Sequence, residues 1–394
     1  MKPLPPAMLA GALLFAACSS AAVTTTSAPA TTSTSATVPP STTVPQTVTT
    51  TTTAPATTSA ATTTTDPVDV PALARSVLMV GIAGWGVDAG TAAHLAAGGQ
   101  AILLLEPNIG TANQVRSLTG EAACAAAGPL LVAVDQELGA IQRLRGLVTV
   151  LPTISEALEM TPLEIELTAQ LAGEEMLAMG INMDLAPVLD VVPGANPALA
   201  GRHFGADPEV VAAAGLAFMR GLAQAGVIAV PKHFPGHGRA EADPHYGPSR
   251  VTATLEELTA VDFVPFTAAF AGGAQAVLVG HPVYDGIDPE VPASLSPAVL
   301  ALLRADFGFD GVALTDALNM AAVSAGRDPG LLAVRALAAG EDLVMVVDPA
   351  AVEDTVAAIV AAVATGDLPL ARLQEAAARV HALAAAAAPI PCRA

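Results

Sequence analysis

Short apolar runs recur along most of this chain, and each is followed by a stretch with helical periodicity. The runs contain few polar positions, which is typical of strands that are buried on both faces of a parallel sheet. They predict strands at 77–81, 101–105, 130–135, 183–190, 227–233, 276–281, 312–316 and 343–347. The alternation of strands and helices therefore predicts an α/β fold in which helices cover a parallel sheet.

Several helical stretches begin with a recognisable N-terminal signal. Thr161-Pro162-Leu163-Glu164 has the pattern of a capping box with proline at the first helical position. Asp207-Pro208 and Ser296-Pro297 open two further helices in the same way. Eight strand–helix repeats in one domain favour a closed (β/α)8 barrel of the TIM type over an open doubly wound sheet. No glycine-rich phosphate-binding motif follows the first strand, which further lowers the dinucleotide-binding alternative.

Polar side chains stand at the ends of four predicted strands. Asp135 ends the third strand, Lys232-His233 the fifth, His281 the sixth and Asp316 the seventh. Any one of them could simply cap the helix that follows. Together they would converge on the C-terminal rim of a barrel, which is where active sites of such barrels lie. A functional site at this rim is therefore the better interpretation.

The N-terminus has the features of an export signal. Lys2 gives a positive start, and residues 8–17 form an apolar stretch that is too short to span a membrane. Small residues precede Cys18, as in the lipobox of bacterial lipoproteins. We therefore expect a signal peptide at 1–17 and lipidation of Cys18. The protein would then be exported and anchored to the membrane at the bacterial cell surface, with plain secretion as the alternative.

Residues 18–68 differ in composition from the rest of the chain, because they are dominated by Thr, Ser, Ala, Pro and Val. Such a segment cannot bury enough apolar surface to offset the entropy that ordering would cost. We therefore predict a disordered stalk at 18–68 and a single catalytic domain at 69–394.

The chain is acidic, with 36 Asp and Glu against 16 Lys and Arg and a formal charge of −20. This balance disfavours nucleic acid as a partner, since neutralising phosphates requires clustered cations. We expect a monomer that meets the membrane only through the lipid anchor. The lysines are Lys2 and Lys232 alone. Once the signal is cleaved, the one remaining lysine lies in the candidate site.

Two cysteines, Cys124 and Cys392, remain after Cys18 is assigned to lipid. Export permits a disulfide between them, and the alternative is a pair of buried thiols. The sequence leaves both possibilities open, because it does not fix the distance between the two side chains.

Histidines are concentrated in the densest polar segment, since four of the seven lie between positions 203 and 245. Metal binding must be considered, because histidine is the commonest metal ligand. The spacings match no common zinc motif, however, and Lys232 would repel a cation. We therefore expect no metal and no other cofactor.

The segment Lys232-His233-Phe234-Pro235-Gly236-His237-Gly238 resembles the signature of glycoside hydrolase family 3, in its β-N-acetylglucosaminidase branch. The resemblance extends over essentially the whole predicted barrel. It includes Asp135-Gln136-Glu137, Gln142-Arg143, Ala186-Pro187-Val188-Leu189-Asp190, Arg202-His203-Phe204-Gly205 and Thr315-Asp316-Ala317-Leu318-Asn319-Met320.

The resemblance implies roles for individual residues. Asp316 matches the nucleophile that forms a covalent glycosyl-enzyme, and His245 matches the general acid/base, oriented by Asp243. The residues that match binders of the terminal sugar are Asp135, Arg143, Arg202, Lys232 and His233. A retaining glycosidase needs a second group that protonates the leaving oxygen and then deprotonates water. Histidine can do both, since its ordinary pKa lies near neutrality.

Three positions depart from the family pattern. Pro244 lies in the Asp-Pro-His loop where the family usually has Ser or Thr, and proline would stiffen or move this loop. Leu138 stands where glycine is usual and could shift the backbone beside Asp135. Gly280-His281 replaces Ala-His, and His281 would either line the pocket or pack in the rim. Asp190, at the exit of the fourth strand, is expected to be structural.

The aromatic residues Trp85, Tyr246 and Tyr284 are few for a protein that binds glycans. Their scarcity favours an exo-acting pocket for one terminal sugar over a long polysaccharide cleft. The predicted function is that of a retaining exo-β-N-acetylhexosaminidase whose substrate is a small, muropeptide-like β-linked N-acetylglucosaminide from peptidoglycan. The alternatives are a phosphorolytic enzyme or β-glucosidase of the same family, and a non-catalytic glycan-binding lipoprotein, which Pro244 and Leu138 keep open.

Overall fold

The structure, a computed structural model, describes residues 68–393. The predicted signal peptide at 1–17, the lipidation site Cys18 and the linker up to residue 67 lie outside the described residues. Those assignments, and the domain boundaries that depend on them, therefore stay predictions. Across residues 68–393, the helices are all too short or too polar to cross a membrane.

A ring of parallel strands forms the centre of the fold. The strands of the ring are β1 (Leu78–Gly81), β2 (Ala101–Leu104), β3 (Leu131–Val134), β4 (Met183–Asp184), β5 (Ile228–Ala229), β6 (Lys232–Phe234), β8 (Ala276–Val279), β11 (Val312–Thr315) and β12 (Val344–Val346). The strands β7 (Arg250–Val251), β9 (Val283–Tyr284) and β10 (Asp288–Pro292) lie outside the ring. One parallel sheet has the order β12-β1-β2-β3-β4-β5, and a second has the order β11-β8-β6. The bridges Val188–Lys232 and Leu314–Leu343 join the two sheets. The predicted (β/α)8 barrel is therefore confirmed.

Two predicted strands are shorter or more interrupted than expected, and proline explains both. Pro231 separates β5 from β6, because proline has no N–H to donate to the ladder. Pro187 likewise follows the short strand β4, and beyond it only Val188 pairs with β6. The apolar pattern alone predicts continuous strands at these places.

Helices surround the ring, and they are α1 (Val70–Ser76), α2 (Ala89–Ala96), α3 (Ala112–Ala125), α4 (Ile154–Glu159), α5 (Pro162–Ala178), α6 (Pro208–Ala225), α7 (Leu255–Glu257), α8 (Phe263–Ala271), α9 (Pro297–Ala305), α10 (Pro329–Ala339), α11 (Val352–Thr365) and α12 (Leu370–Ala386). The three predicted helix starts are confirmed. Thr161 and Glu164 form the capping box of α5, while Asp207 and Ser296 accept N-cap hydrogen bonds at α6 and α9.

The apolar residues divide into an inner and an outer layer, as alternating strand faces require. The inner cluster fills the barrel with side chains such as Met79, Leu103, Leu131, Leu278 and Met345. The last helix, α12, adds Val380, Leu383 and Ala384 to this cluster. A second, larger cluster packs the outer strand faces against the helices. The barrel interior is therefore solid beneath the C-terminal rim.

A small third sheet, formed by β7, β9 and β10, was not predicted. Its strands are short, and β10 has no buried position, so they lack the apolar runs that identify the barrel strands. The sheet connects the loop after β6 with the loop after β8, both of which lie at the C-terminal rim. It thus fixes two loops that surround the candidate site.

A disulfide joins Cys124 of α3 to Cys392, which resolves the alternative that the sequence left open. The bond connects positions 268 residues apart. A cross-link over so long a loop stabilises the fold mainly by restricting the unfolded chain, typically by about 2–4 kcal/mol. The C-terminal segment is also held by Asn182, whose side chain donates a 3.0 Å hydrogen bond to the carbonyl of Ala388.

Candidate active site

A cavity opens at the C-terminal ends of the barrel strands, where the polar strand ends predicted a site. Its volume is about 370 Å³. Seven of the eight residues proposed for catalysis or sugar binding line it, namely Asp135, Arg143, Arg202, Lys232, His233, His245 and Asp316. The eighth, Asp243, is hydrogen bonded to His245. The fold therefore brings together residues that are scattered over much of the chain.

Lys232 lies at the centre of a buried network of opposite charges. Its Nζ is 2.6 Å from Asp135 Oδ1 and 2.6 Å from Glu137 Oε1. Arg202 donates from Nε and Nη2 to the two oxygens of Glu137, and each of these hydrogen bonds is 2.8 Å long. Lys232 is 2% exposed and Glu137 is 1% exposed, so water barely competes for these bonds. Such paired, charge-assisted bonds fix the positions of all four side chains.

The network also fixes the charges of its members. Burial raises the pKa of Glu137, but the Lys232 ammonium and the Arg202 guanidinium outweigh burial and hold this pKa at about 2. Burial lowers the pKa of Lys232, but the carboxylates of Asp135 and Glu137 raise it above its ordinary value. Both groups are therefore charged at neutral pH, which prepares the pocket for hydrogen bonds to sugar hydroxyls.

Glu137 was not among the predicted site residues, although it lines the cavity. It is the third residue of the Asp135-Gln136-Glu137 motif, so the signal was present in the sequence. Its function depends on contacts with Arg202 and Lys232, 65 and more residues away, which a linear motif does not reveal.

Asp316 follows β11, whose backbone directs it into the cavity. Its N–H donates to the carbonyl of Val279 at 3.0 Å, and its Oδ1 accepts a 2.7 Å hydrogen bond from the N–H of Ala317. Burial raises the pKa of Asp316, but the charges of His281 and His233 outweigh burial, so the pKa lies below its ordinary value. The carboxylate is therefore ionised at neutral pH, as a nucleophile requires.

Asp243 and His245 form the predicted pair. Asp243 Oδ1 shares a 2.7 Å hydrogen bond with His245 Nδ1 and accepts a 2.9 Å bond from the His245 N–H. Burial raises the pKa of Asp243, but these bonds to His245 lower it below its ordinary value. With Nδ1 occupied, Nε2 is the imidazole nitrogen free to exchange a proton in the cavity.

The Pro244 loop keeps this pair at the cavity. The carbonyl of Pro244 accepts a 3.0 Å hydrogen bond from the N–H of Ala322, in the loop that follows Asp316. At the base of the loop, Ser249 Oγ donates to the carbonyl of Ala242 at 2.6 Å. The proline that departs from the family pattern is thus compatible with a formed dyad.

Asp190 lies behind His233 and has the structural role that the sequence predicted. It is fully buried, shares a 2.7 Å hydrogen bond with His233 Nδ1, and accepts a 2.6 Å bond from the N–H of His237. Burial raises the pKa of Asp190, but the electrostatic attraction and hydrogen bond of His233 outweigh the effect of burial and lower this pKa to about 2. Burial lowers the pKa of His237 to about 4, which keeps that imidazole neutral. Asp190 therefore orients His233 towards the cavity.

Among the described residues, Asp190, His233 and His237 form the group that could hold a metal ion. Possible ligand atoms of Asp190, His233 and His237 lie within 4.8 Å of one another. In the structure the His233–Asp190 hydrogen bond already uses two of the candidate atoms. A metal would have to replace that bond, so the donor set fits an orienting contact better than a metal centre.

His281 packs in the rim, which decides between the two positions that the sequence allowed. Its Nδ1 is 2.7 Å from Ser294 Oγ, and its Nε2 is 3.0 Å from the carbonyl of Ala317. It thereby supports the backbone next to Asp316. Leu138 is buried and leaves the contact between Asp135 and Lys232 intact.

Comparison with known proteins agrees with this geometry. The family model described as the N-terminal domain of glycosyl hydrolase family 3 matches residues 90–383. A β-hexosaminidase of Stenotrophomonas maltophilia strain K279a is 38% identical over 295 residues, covering 72% of this chain and 87% of that protein.

Solved structures give the same result. The β-N-acetylhexosaminidase from Beutenbergia cavernae superposes with a TM-score of 0.75 at 32% identity, covering 81% of this chain and 99% of that one. A family 3 β-N-acetylglucosaminidase from Paenibacillus sp. FPU-7 gives a TM-score of 0.78 at 33% identity; the match covers 81% of this chain and 63% of that longer one. The chain is a hydrolase and belongs to glycoside hydrolase family 3.

Proposed function

We propose that this protein is a retaining exo-β-N-acetylhexosaminidase that releases terminal N-acetylglucosamine from peptidoglycan fragments. The observation that carries the proposal is the meeting of Asp316 and the Asp243-supported His245 in one cavity with the Lys232 network. A cavity of about 370 Å³ suits a single terminal sugar. The names of the similar proteins support the hexosaminidase assignment.

The first half of the reaction transfers the sugar to the protein. An Asp316 carboxylate oxygen bonds to the anomeric carbon while the bond from that carbon to the leaving oxygen breaks. Protonated His245 gives its Nε2 proton to the leaving oxygen, so the departing group leaves neutral. Asp243, whose Oδ1 lies 2.7 Å from His245 Nδ1, orients the imidazole for this transfer.

The second half returns the protein to its starting state. Neutral His245 accepts a proton from water as the water oxygen bonds to the anomeric carbon and the Asp316 carboxylate departs. Two inversions at the same carbon give net retention. Throughout, the hydrogen-bonding groups of Lys232, Asp135 and Arg202 hold the sugar hydroxyls in place.

The peptidoglycan assignment is supported by the predicted export signal and the anchoring cysteine, Cys18. An exported, surface-anchored enzyme meets that polymer and its fragments, which carry β-linked N-acetylglucosamine. The chain is acidic, and Lys232 is its one lysine outside the predicted signal peptide. This charge balance favours an uncharged sugar over a polyanion as the ligand.

The test is to follow sugars released by the purified protein from a panel of β-linked substrates, including muropeptides, chitobiose and β-glucosides. We expect N-acetylglucosamine, with the β-anomer appearing first in proton NMR spectra. First release of the α-anomer would contradict retention, and preference for glucosides would identify a β-glucosidase. A sugar phosphate formed only with added phosphate would identify phosphorolysis, while no turnover of any substrate would favour a non-catalytic glycan-binding protein.

Replacing Lys232 with arginine should raise the KM of this reaction roughly tenfold, which corresponds to about 1.4 kcal/mol of lost binding. The compact ammonium fits between Asp135 and Glu137, and Arg202 already occupies both oxygens of Glu137. A second planar guanidinium would displace these partners.

Steady-state kinetics and thermal melting of Lys232→Arg give the comparison. Arg220→Lys, at an exposed pair with Glu166, provides a matched control that should keep the parent KM. Unchanged kcat and KM in a folded Lys232→Arg variant would show that lysine is not required at this position.

A further inference from the structure

We propose that the ion pair between Asp262 and Arg239 positions the loop that carries the acid/base pair, and thereby sets how efficiently His245 transfers its proton. This inference rests on the proposed function, since it concerns the same proton transfer. Asp262 and Arg239 both lie outside the set of residues that lines the active-site cavity. They are therefore positioning residues, and any effect that they have on the reaction passes through the loop.

Asp262 is a fully buried carboxylate whose partner is Arg239. Its Oδ2 accepts a 2.7 Å hydrogen bond from Arg239 Nε, and in the part of the chain that the structure describes its Oδ1 has no partner. Burial raises the pKa of Asp262 to about 6, and the Arg239 guanidinium opposes this effect, so the carboxyl is mostly ionised at neutral pH. The side chain makes no capping bond to α8, although Asp262 directly precedes that helix. Helix capping therefore does not account for this buried charge.

The Asp262 side chain also packs against the Lys232–Gly238 segment. Gly236 has a φ of +125°, and a Cβ atom placed on it would lie 2.8 Å from Asp262 Cβ, which is closer than two such atoms approach. The carbonyl of Gly236 accepts a 3.0 Å hydrogen bond from Tyr284 Oη in β9. Asp262 and Tyr284 thus hold the turn at Gly236 in place.

Arg239 begins the short arm of the chain that leads to the acid/base pair. The arm is bound on both sides, since Asp262 holds Arg239 and the N–H of Glu241 donates a 3.1 Å hydrogen bond to the carbonyl of Arg250 in β7. His245 itself has little packing, because its side chain is 55% exposed. The position of the imidazole therefore depends on the arm, and the position of the arm depends on the ion pair.

A buried ion pair suits a positioning role better than a purely stabilising one. Burying two charges costs most of what their attraction returns, so apolar residues of similar size would stabilise the fold about as well. The hydrogen bond between guanidinium and carboxylate is directional, however, and it joins the arm to the helical turn before α8 at a defined distance. Proton transfer is sensitive to such placement, because His245 must come within hydrogen-bonding distance of the leaving oxygen.

Kinetics on two substrates test the inference. Asp262→Asn keeps the shape of the side chain but removes its charge, and Arg239→Met removes the guanidinium. We expect each variant to lower kcat/KM for methyl β-N-acetylglucosaminide roughly tenfold, because the leaving oxygen of this substrate needs the His245 proton. For the 2,4-dinitrophenyl glycoside kcat/KM should stay unchanged, while kcat falls because water still needs the base. Arg239→Lys keeps the charge and should recover most of the loss.

The ratio of the two kcat/KM values does not depend on how much of a variant is folded, so a folding defect alone leaves it at the parent value. Arg75→Met, which breaks the ion pair of Arg75 with Glu353 between α1 and α11, is the matched control and should also keep the parent ratio. An unchanged ratio in either Asp262→Asn or Arg239→Met would overturn the inference alone. A parent protein that hydrolyses neither substrate would overturn the proposed function and the inference together.

Hydrogen exchange of the full chain, measured by mass spectrometry, gives a readout that is independent of activity. We expect the amides of residues 239–246 to exchange faster in Asp262→Asn than in the parent, because the arm loses one of its two anchors. Faster exchange in α8 without a change in this loop, or no change in either segment, would contradict the positioning role.

Discussion

Replacing Asp316 with alanine should reduce turnover of an aryl β-N-acetylglucosaminide on the order of 10⁴-fold or more, as expected when a nucleophile is removed. Asp316 is held in the cavity by its backbone bond to Val279 and is ionised at neutral pH. No neighbour can replace it, since Asp135 and Glu137 are committed to Lys232. Initial rates with a chromogenic substrate measure the effect.

The same variant allows a stereochemical check. Azide can enter the space left by the missing carboxylate and attack the anomeric carbon from the face that Asp316 occupied, while the aryl oxide departs. The expected product is an α-glycosyl azide. Asp310→Ala removes an exposed carboxylate from the loop before β11 and should leave the rate unchanged, which controls for a general charge effect. Undiminished activity of Asp316→Ala would refute the assignment of the nucleophile.

The barrel and most of its site could be predicted from the sequence, because their signals are local. Apolar runs identify the strands, and polar residues directly after a run are carried to one rim by the parallel topology. Asp135, Lys232 and Asp316 were found in this way. The structure adds their mutual distances, such as the 2.6 Å contact between Lys232 and Asp135 over 97 residues.

What could not be predicted depends on contacts between distant segments. Glu137 is an ordinary acidic residue until Arg202 and Lys232 approach it. The disulfide between Cys124 and Cys392 requires that the C-terminus return to α3, which no local pattern encodes. The short strands β7, β9 and β10 of the third sheet are stabilised by their neighbours in the rim and have no periodicity of their own.

Replacing His245 with alanine should produce a loss that depends on the leaving group. For a substrate whose leaving group is a sugar or methanol, kcat/KM should fall about 10²- to 10⁴-fold, because the departing oxygen requires a proton. For a 2,4-dinitrophenyl glycoside, whose leaving group departs as a stable anion, kcat/KM should change little. Comparison of kcat/KM across leaving groups of graded acidity measures this dependence.

The second step of the reaction gives His245→Ala a further signature. Without a base to activate water, the glycosyl-enzyme on Asp316 should accumulate with the dinitrophenyl substrate, which produces a burst and a low KM. Azide needs no base, so it should restore turnover and give a β-glycosyl azide, opposite in configuration to the product of Asp316→Ala. His381→Ala, on α12 and away from the cavity, should behave as the parent does. A loss of equal size for every leaving group would contradict acid/base catalysis and assign His245 a structural role, since only proton transfer distinguishes these substrates.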